Sequence, residues 1–339
     1  MFDIVTIGSI TRDNFLEADY RIEKWPKTPS GQALILPFGE KLEVRNMYAT
    51  MGGNSANASV TFARQGFRAA CFGKVGDDLA GREIAAQLHH EKVTPILGRT
   101  REKPTAFSVL LLEKGERTIL GYHGASDTLS LKDIPWKRLK SAWWYLSLAG
   151  ESDVLLRPLL AFARKNTIRV AFNPSGHHIM HRRKEILASL KDISFLVVNT
   201  GEAAMLTGIP FRQEKKVFAA LDRLVPGIVA VTDGPNGVTV SDGTYRYTAG
   251  VYKERRVVDR TGAGDAFGSG FLAGLMRRSQ TSNVKSQKFS TEDIKYAIRL
   301  ASANATAGIE KIGATEGVLT RAQFRNARWK RLPIMIDKI

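Results

Sequence analysis

The stretch Val257-Val258-Asp259-Arg260-Thr261-Gly262-Ala263-Gly264-Asp265-Ala266-Phe267-Gly268-Ser269-Gly270-Phe271-Leu272-Ala273-Gly274-Leu275 decides the reading of this chain. Its first half is a polar turn in which Gly262 and Gly264 flank Ala263, so no bulky side chain keeps a ligand from the backbone N–H groups. Its second half is apolar and rich in small residues, as a helix buried on most of its surface would be. The helix is expected to begin within residues 262–265, where unpaired N–H groups and the positive end of the helix dipole make an anion site. Asp265 at that joint is placed to take a proton from a hydroxyl while the amides of Gly262, Ala263 and Gly264 hold a phosphoryl group in transfer. The alternative on the same residues is structural: an acid that stabilises a helix start, and glycines that permit tight packing.

Upstream, Asp3–Ser9 is an apolar run ending in Gly-Ser, the pattern of a buried parallel strand whose carboxyl end opens on a crevice. Asp13 lies four residues beyond that end, as an acceptor for substrate hydroxyls or as a turn former. The short alternating runs within 14–50, interrupted by Pro26, Pro29 and Pro37, suggest edge strands outside the main layer. Gly52 and Gly53 open a helix through Ala63 and bring backbone close to whatever lies above them. Asn57 in its first turn offers both donor and acceptor to a polyol, or simply starts the helix. Ala106–Leu112 and Arg117–Tyr122 read as a β-hairpin. With the earlier strands it would build a small sheet from segments 14–50 and 97–127, serving as a lid, a dimer surface or both.

From Ser141 onward, strands and helices alternate regularly, which is the signature of a doubly wound, mostly parallel sheet flanked by helices. The fold expected is therefore α/β, a single domain over 1–339 with the small sheet as its lid. Asn199 and Glu202, three apart across a strand-to-helix turn, could both reach a hydrated Mg²⁺, or could cap the helix. Thr232, Gly234 and Gly237 lie in a loop able to hold phosphate or ribose, or able merely to turn the chain. Ser279–Ser290 reads as a surface loop, Thr291–Ile309 as a helix whose small residues pack beside the central one, and the basic C-terminal tail carries no clear signal.

Composition narrows the classes. The 50 Lys and Arg against 33 Asp and Glu give a formal charge of +17, spread along the chain in small clusters. No zinc spacing, RNP-type aromatic motif or long basic block accompanies them, so specific nucleic-acid binding is not expected and a solvated basic surface is. Cys71 is the sole cysteine, which excludes an internal disulfide framework. The chain has no apolar run long enough to cross a membrane and begins directly with a strand, so the expected location is the cytoplasm.

The order of these pieces resembles the ribokinase-like (PfkB) family of sugar and nucleoside kinases over nearly the whole chain. The resemblance rests on GGNSANASV at 52–60 and DRTGAGDAFGSGF at 259–271, supported by GKVGDD at 73–78, VNTGEAAMLTG at 198–208 and VTDGPNGV at 231–238. It implies a kinase using ATP and Mg²⁺, with a sugar or nucleoside as acceptor and Asp265 as catalytic base. Gly262, Ala263 and Gly264 would form the anion hole. Asn199 and Glu202 would organise Mg²⁺ through water, Thr232, Gly234 and Gly237 would line ATP, and Asp13, Gly52, Gly53 and Asn57 would hold the acceptor's hydroxyls. It further implies a K⁺ site at Asp259 and Thr261, a homodimer formed through the lid, and an adenine-side Asn or His eleven positions before Gly313, where this chain departs from the pattern with Ser302 and offers Asn304, displaced by two, as the candidate. The chain departs from ribokinases proper in carrying Thr11 where they have Asn, and Asn54-Ser55 where they have Lys-Gly.

Overall fold

The computed structural model describes all residues from 1 to 339 except Pro29, Lys114, Ala149 and 282–288. From the N-terminus, β1 (Phe2–Gly8), β2 (Thr11–Glu17), β3 (Arg21–Lys24), β4 (Gln32–Ile35) and β5 (Asn46–Gly52) precede α1 (Asn54–Arg64). Next come β6 (Ala69–Gly76), α2 (Leu79–His90), β7 (Thr94–Thr100), β8 (Phe107–Glu113) and β9 (Glu116–Tyr122). The alternating half contains β10 (Ser141–Ser147), α3 (Leu156–Lys165), β11 (Arg169–Phe172), α4 (Gly176–Ser189), β12 (Phe195–Asn199), α5 (Thr200–Thr207), α6 (Glu214–Leu224) and β13 (Ile228–Thr232). The chain closes with β14 (Val238–Ser241), β15 (Tyr245–Ala249), α7 (Ala263–Thr281), α8 (Thr291–Gly308), α9 (Arg321–Phe324) and β16 (Ile334–Lys338).

Ten strands form the main sheet in the order β16-β15-β14-β13-β12-β11-β10-β1-β6-β7. Pairings from β7 through to β13 are parallel, and those among β13, β14, β15 and β16 are antiparallel. Both faces are covered, which is why these strands read as nearly continuous apolar runs. Strand β10 shows it residue by residue: Trp144 and Leu146 enter a core with Leu159 of α3 and Ile186 of α4, while Trp143 and Tyr145 enter the opposite core with Phe62 of α1 and Phe271 of α7. The two directions of winding part between β1 and β10, so a crevice opens at their carboxyl ends.

Helix α7 lies over that crevice because its glycines remove side chains where neighbours come close. A Cβ at Gly268 would stand 2.5 Å from the Tyr145 hydroxyl, and one at Gly274 2.6 Å from Ala297 Cα of α8. The small residues of α8 therefore pack directly against α7, as their composition suggests.

The small sheet has the order β5-β2-β8-β9, and β3 pairs with β4 in a separate ribbon. Two expectations are corrected here, and the tail that carries no clear signal in the sequence takes a defined place. Asp13 stands within β2, paired with Thr50 and Ser108, and not in a turn after β1. Residues 97–100 complete β7 at the edge of the main sheet, so the small sheet takes up the later segment only at Phe107. The C-terminal tail is ordered: β16 pairs with β15 from Ile334 to Lys338 and extends the main sheet. Of the expected loop Ser279–Ser290, residues 279–281 belong to α7 and 282–288 lie outside the described residues.

Candidate active site

The first turns of two helices meet over the crevice. Gly53 leads into α1 with φ 89°, and a Cβ there would lie 2.6 Å from the Ser9 carbonyl oxygen. This close approach lets the Asn54 amide donate to Ser9 Oγ (3.0 Å) and its side chain to Ser147 Oγ (3.1 Å), tying α1 to β1 and β10. Gly262 leads into α7 with φ 72°, and a Cβ there would stand 2.9 Å from Ala314 Cα. Both turns thus need glycine for conformation and for space.

Asp265 is 8% exposed, and its Oδ2 accepts from Asn57 Nδ2 at 2.9 Å. Burial raises its pKa to about 6, opposed by the Asn57 hydrogen bond and reinforced by the charges of Asp13 and Glu202. Burial is also the first cause raising the pKa values of Asp13 and Glu202. Asp13 is further held by the hydroxyls of Thr11 (2.8 Å to Oδ1) and Ser108. A side chain at Gly52 would overlap the Asp13 carboxylate, so that glycine makes room for the acid. Asn57 is buried, and its Oδ1 has no partner, leaving an acceptor beside Asp265. The Asp13 carboxylate and the free Asn57 amide oxygen suit recognition of hydroxyl groups beside Asp265.

Asn199 and Glu202 form a capping box on α5: the Glu202 amide donates to Asn199 Oδ1 and the Asn199 amide to Glu202 Oε2, each at 2.9 Å. Capping does not remove them from the site. Both line a cavity of about 170 Å³ with Asn54, Asn173, Gly264 and Asp265. An adjoining cavity of about 460 Å³ is bounded by Asn199, Thr232, Gly234, Gly237, Ala263 and Gly264. That volume suits a nucleotide-sized ligand. The two cavities share Asn199, Thr232 and Gly264, so Asp265 faces the smaller chamber just beyond the wall of the larger.

Asn304, Gly237, Asp259 and Thr261 each have structural partners within the protein. Asn304 is fully buried and spends its amide inside the protein: Nδ2 donates to Thr61 Oγ1 (3.2 Å) and the Ala266 carbonyl (2.8 Å), and Oδ1 accepts from the Leu319 amide (2.8 Å). It staples α8 to α1, α7 and the following loop, while Ser302 and Thr306 of α8 face the larger cavity. Gly237 lines that cavity, but its missing side chain is required by the Ala249 carbonyl, with which a Cβ would collide. Asp259 is 1% exposed, and its carboxylate accepts from the Thr261 amide (2.9 Å) and hydroxyl (2.6 Å) and the Gly313 amide (3.0 Å). Asp259 and Thr261 thereby fix the loop beneath the anion turn. Among the described residues no group of three or more His, Cys, Asp or Glu side chains is arranged to hold a metal ion alone. A divalent cation here would rely on water and ligand oxygens, as Mg²⁺ ordinarily does.

Sequence reasoning missed Asn54, Arg117 and Arg260 as site residues. Arg117, on β9, and Arg260, inside the quoted turn, line the larger cavity, and each has a buried Nε with no hydrogen-bond acceptor. Arg260 Nε instead lies 3.1 Å from the Glu116 carboxylate of β9, an ion pair without hydrogen-bond geometry. The position of Arg260 between Asp259 and Thr261 was the available signal for it; Arg117 needed the hairpin's placement.

Similarity to known proteins places the chain among phosphotransferases acting on hydroxyl groups. The pfkB family carbohydrate kinase profile matches residues 3–321, and the chain belongs to that family. It is 26% identical over 337 residues to a ribokinase of Haemophilus influenzae, covering 94% of this chain and 96% of that one. A cytidine kinase of Thermococcus kodakarensis is 25% identical over 282 residues, covering 82% and 90% of the two chains. The structure of ribokinase from Giardia lamblia superposes with a TM-score of 0.80 at 22% identity, covering 96% of this chain and 99% of that one. The protein is thus a sugar or nucleoside kinase of the ribokinase fold, and no helix among its described residues is long and apolar enough to cross a membrane.

Proposed function

We propose that this kinase transfers the γ-phosphoryl group of ATP to a hydroxyl, primary in the favoured reading, of a sugar or sugar-containing small molecule, with Asp265 as general base. The observation carrying this reading is the junction of the two cavities at Gly264, with a buried carboxylate on one side and a nucleotide-sized space on the other. Asp13 and Asn57 would orient the acceptor, and Gly52 and Gly53 would let it approach the backbone. Asp265 takes the proton of the attacked hydroxyl, and the amides at 262–264 stabilise charge on the moving group. Glu202, with Asn199, would hold Mg²⁺ through water, where the ion neutralises phosphate charge. Thr232, Gly234 and Gly237 would lie along ATP, and Asp259 and Thr261 would seat a monovalent cation such as K⁺. Ser302 replaces Asn304 as the adenine-side candidate, since it faces the cavity.

A nucleoside acceptor of the adenosine, inosine or cytidine type is the second reading, favoured by the likeness to a cytidine kinase. We further propose that the small sheet acts as a lid and that its outer face pairs with a second copy, because Met47, Phe107, Leu120 and Tyr122 are exposed there. A cytoplasmic location fits ATP as phosphoryl donor. The test is ADP formation with ATP, Mg²⁺ and K⁺ across neutral sugars, sugar acids, sugar phosphates and nucleosides. A single strong acceptor supports the reading, whereas silence across the panel in folded protein that binds ATP refutes it.

A further inference from the structure

One side of the small sheet reaches both cavities. Along β2, β8 and β9, Asp13 lies opposite Ser108, Ser108 opposite Gly121, Leu110 opposite Ile119 and Leu112 opposite Arg117, so strand alternation puts Asp13 and Arg117 on the same side. Phe15, Leu110 and Leu112 of that side are buried with Ile312, in the loop after α8, which seats the sheet. Arg117 stands four residues from Gly121 on β9, roughly 13 Å at the usual strand rise. It lines the larger cavity together with Gly264 of the anion turn. The hairpin tip beside it is docked on the approach to that turn: a Cβ at Gly115 would lie 3.4 Å from Val257, and the Glu116 carboxylate lies 3.1 Å from Arg260 Nε. Arg117 itself is half-buried, its Nε is shut off from solvent with no acceptor, and no acidic side chain pairs with it among the described residues. Glu254, the one acid among the described residues lining the larger cavity, is exposed. Withdrawing a charge from water without a partner is costly. A guanidinium so held, in a cavity that also contains a helix N-terminus, is matched to an anionic ligand.

We propose, taking the larger cavity as the ATP site, that Arg117 is a phosphate-binding residue carried by the small sheet, so that nucleotide without acceptor holds the β8–β9 hairpin on the donor side. Its planar fork of donors fits phosphate oxygens in pairs. The anion turn supplies backbone amides from α7 and Arg117 a full charge from β9, so the phosphates tie the small sheet to the main domain. Because Asp13 is on the same side of that sheet, the tie also fixes the acceptor end of the site. One rigid face then answers to both substrates.

The test is calorimetric titration of the full-length protein with ADP and Mg²⁺, no acceptor being present, together with hydrogen exchange of residues 115–118. Arg117→Met keeps the apolar stem and removes the charge; it should weaken ADP about 10- to 100-fold, the range of one lost charge-assisted hydrogen bond. Arg117→Lys keeps the charge without the fork and should fall between Arg117→Met and wild type. Lys132→Met, which removes a charge from an exposed position outside the cavity, should bind as wild type does. Arg117→Met should melt no lower than wild type, because no internal bond of the guanidinium is lost. ADP should slow exchange at 115–118 in wild type and not in Arg117→Met. Wild-type affinity in Arg117→Met would overturn the proposal while leaving the ATP site standing, and so would an equal loss in Lys132→Met or exchange at 115–118 that ignores bound ADP. Wild type that binds no ADP would overturn the ATP site and the proposal together.

Discussion

Asn57 Nδ2 donates to Asp265 Oδ2 across 2.9 Å, joining the first turn of α1 to the first turn of α7. The bond crosses 208 residues of sequence and fixes the carboxylate proposed to take the proton. It favours the ionised acid, but burial outweighs it and brings Asp265 to about 6. As a base, Asp265 works only deprotonated. The value of kcat/KM should therefore rise about tenfold per pH unit below 6 and level off above it. A profile flat from pH 5 to 7 would contradict the assignment.

The same shift fixes the sign of a stability effect. Below its ordinary value of 3.8, Asp265 is protonated in both folded and unfolded chains and contributes nothing; between 3.8 and about 6 the folded chain holds the extra proton, so stability falls as pH rises. Above 6 the full cost remains, roughly 3 kcal/mol at about 1.4 kcal/mol per unit. Asp265→Asn should thus have a higher Tm than wild type at pH 8 and a similar one at pH 3.5. Equal Tm values at pH 8 would show that the site already compensates the charge.

Gly262 and Gly264 differ in what they permit. Gly262→Ala forces a side chain into the left-handed region and against Ala314, so both stability and turnover should fall. Nothing lies within 4 Å of a Cβ at Gly264, which faces both cavities. Gly264→Ala should keep the Tm while weakening ATP. Parallel thermal melts and ATP titrations separate the two outcomes.

Asn304→Ala removes the acceptor of the Leu319 amide inside the core, and a second donor to the Ala266 carbonyl of α7. Each buried group left unpaired costs about 1–3 kcal/mol. Denaturant unfolding should show the loss, while KM for ATP stays unchanged because Asn304 does not face the nucleotide cavity. A raised KM with undiminished stability would restore its adenine-side role.

If the small sheet closes over the acceptor, hydrogen exchange in β8 and β9 should slow when acceptor and a non-hydrolysable ATP analogue are both bound. Exchange there that ignores the ligands would leave the sheet an interaction surface only.

Much of this was legible in the chain because local chemistry dictates it. Glycines before a small-residue helix, apolar runs alternating with amphipathic segments, and Asn199 with Glu202 three residues on each announce their local structure. What escaped depends on contacts far apart in sequence. Asn304 looks like an available amide until Thr61, Ala266 and Leu319 are seen around it. Strand β16 has a polar end and gains its place only by pairing with β15, some 90 residues earlier. Arg117 enters the site through the docking of the β8–β9 turn, where a Cβ at Gly115 would touch Val257 at 3.4 Å.

The most direct test of the central claim is the single-turnover rate of ATP-dependent phosphorylation by wild type and Asp265→Asn, with the acceptor identified from the panel. The account predicts a loss of about 10² to 10⁴ in the variant, the range of a lost general base, with ATP affinity and fold retained. A rate within a few-fold of wild type would contradict it, and the proton would have to leave by a route that does not include Asp265.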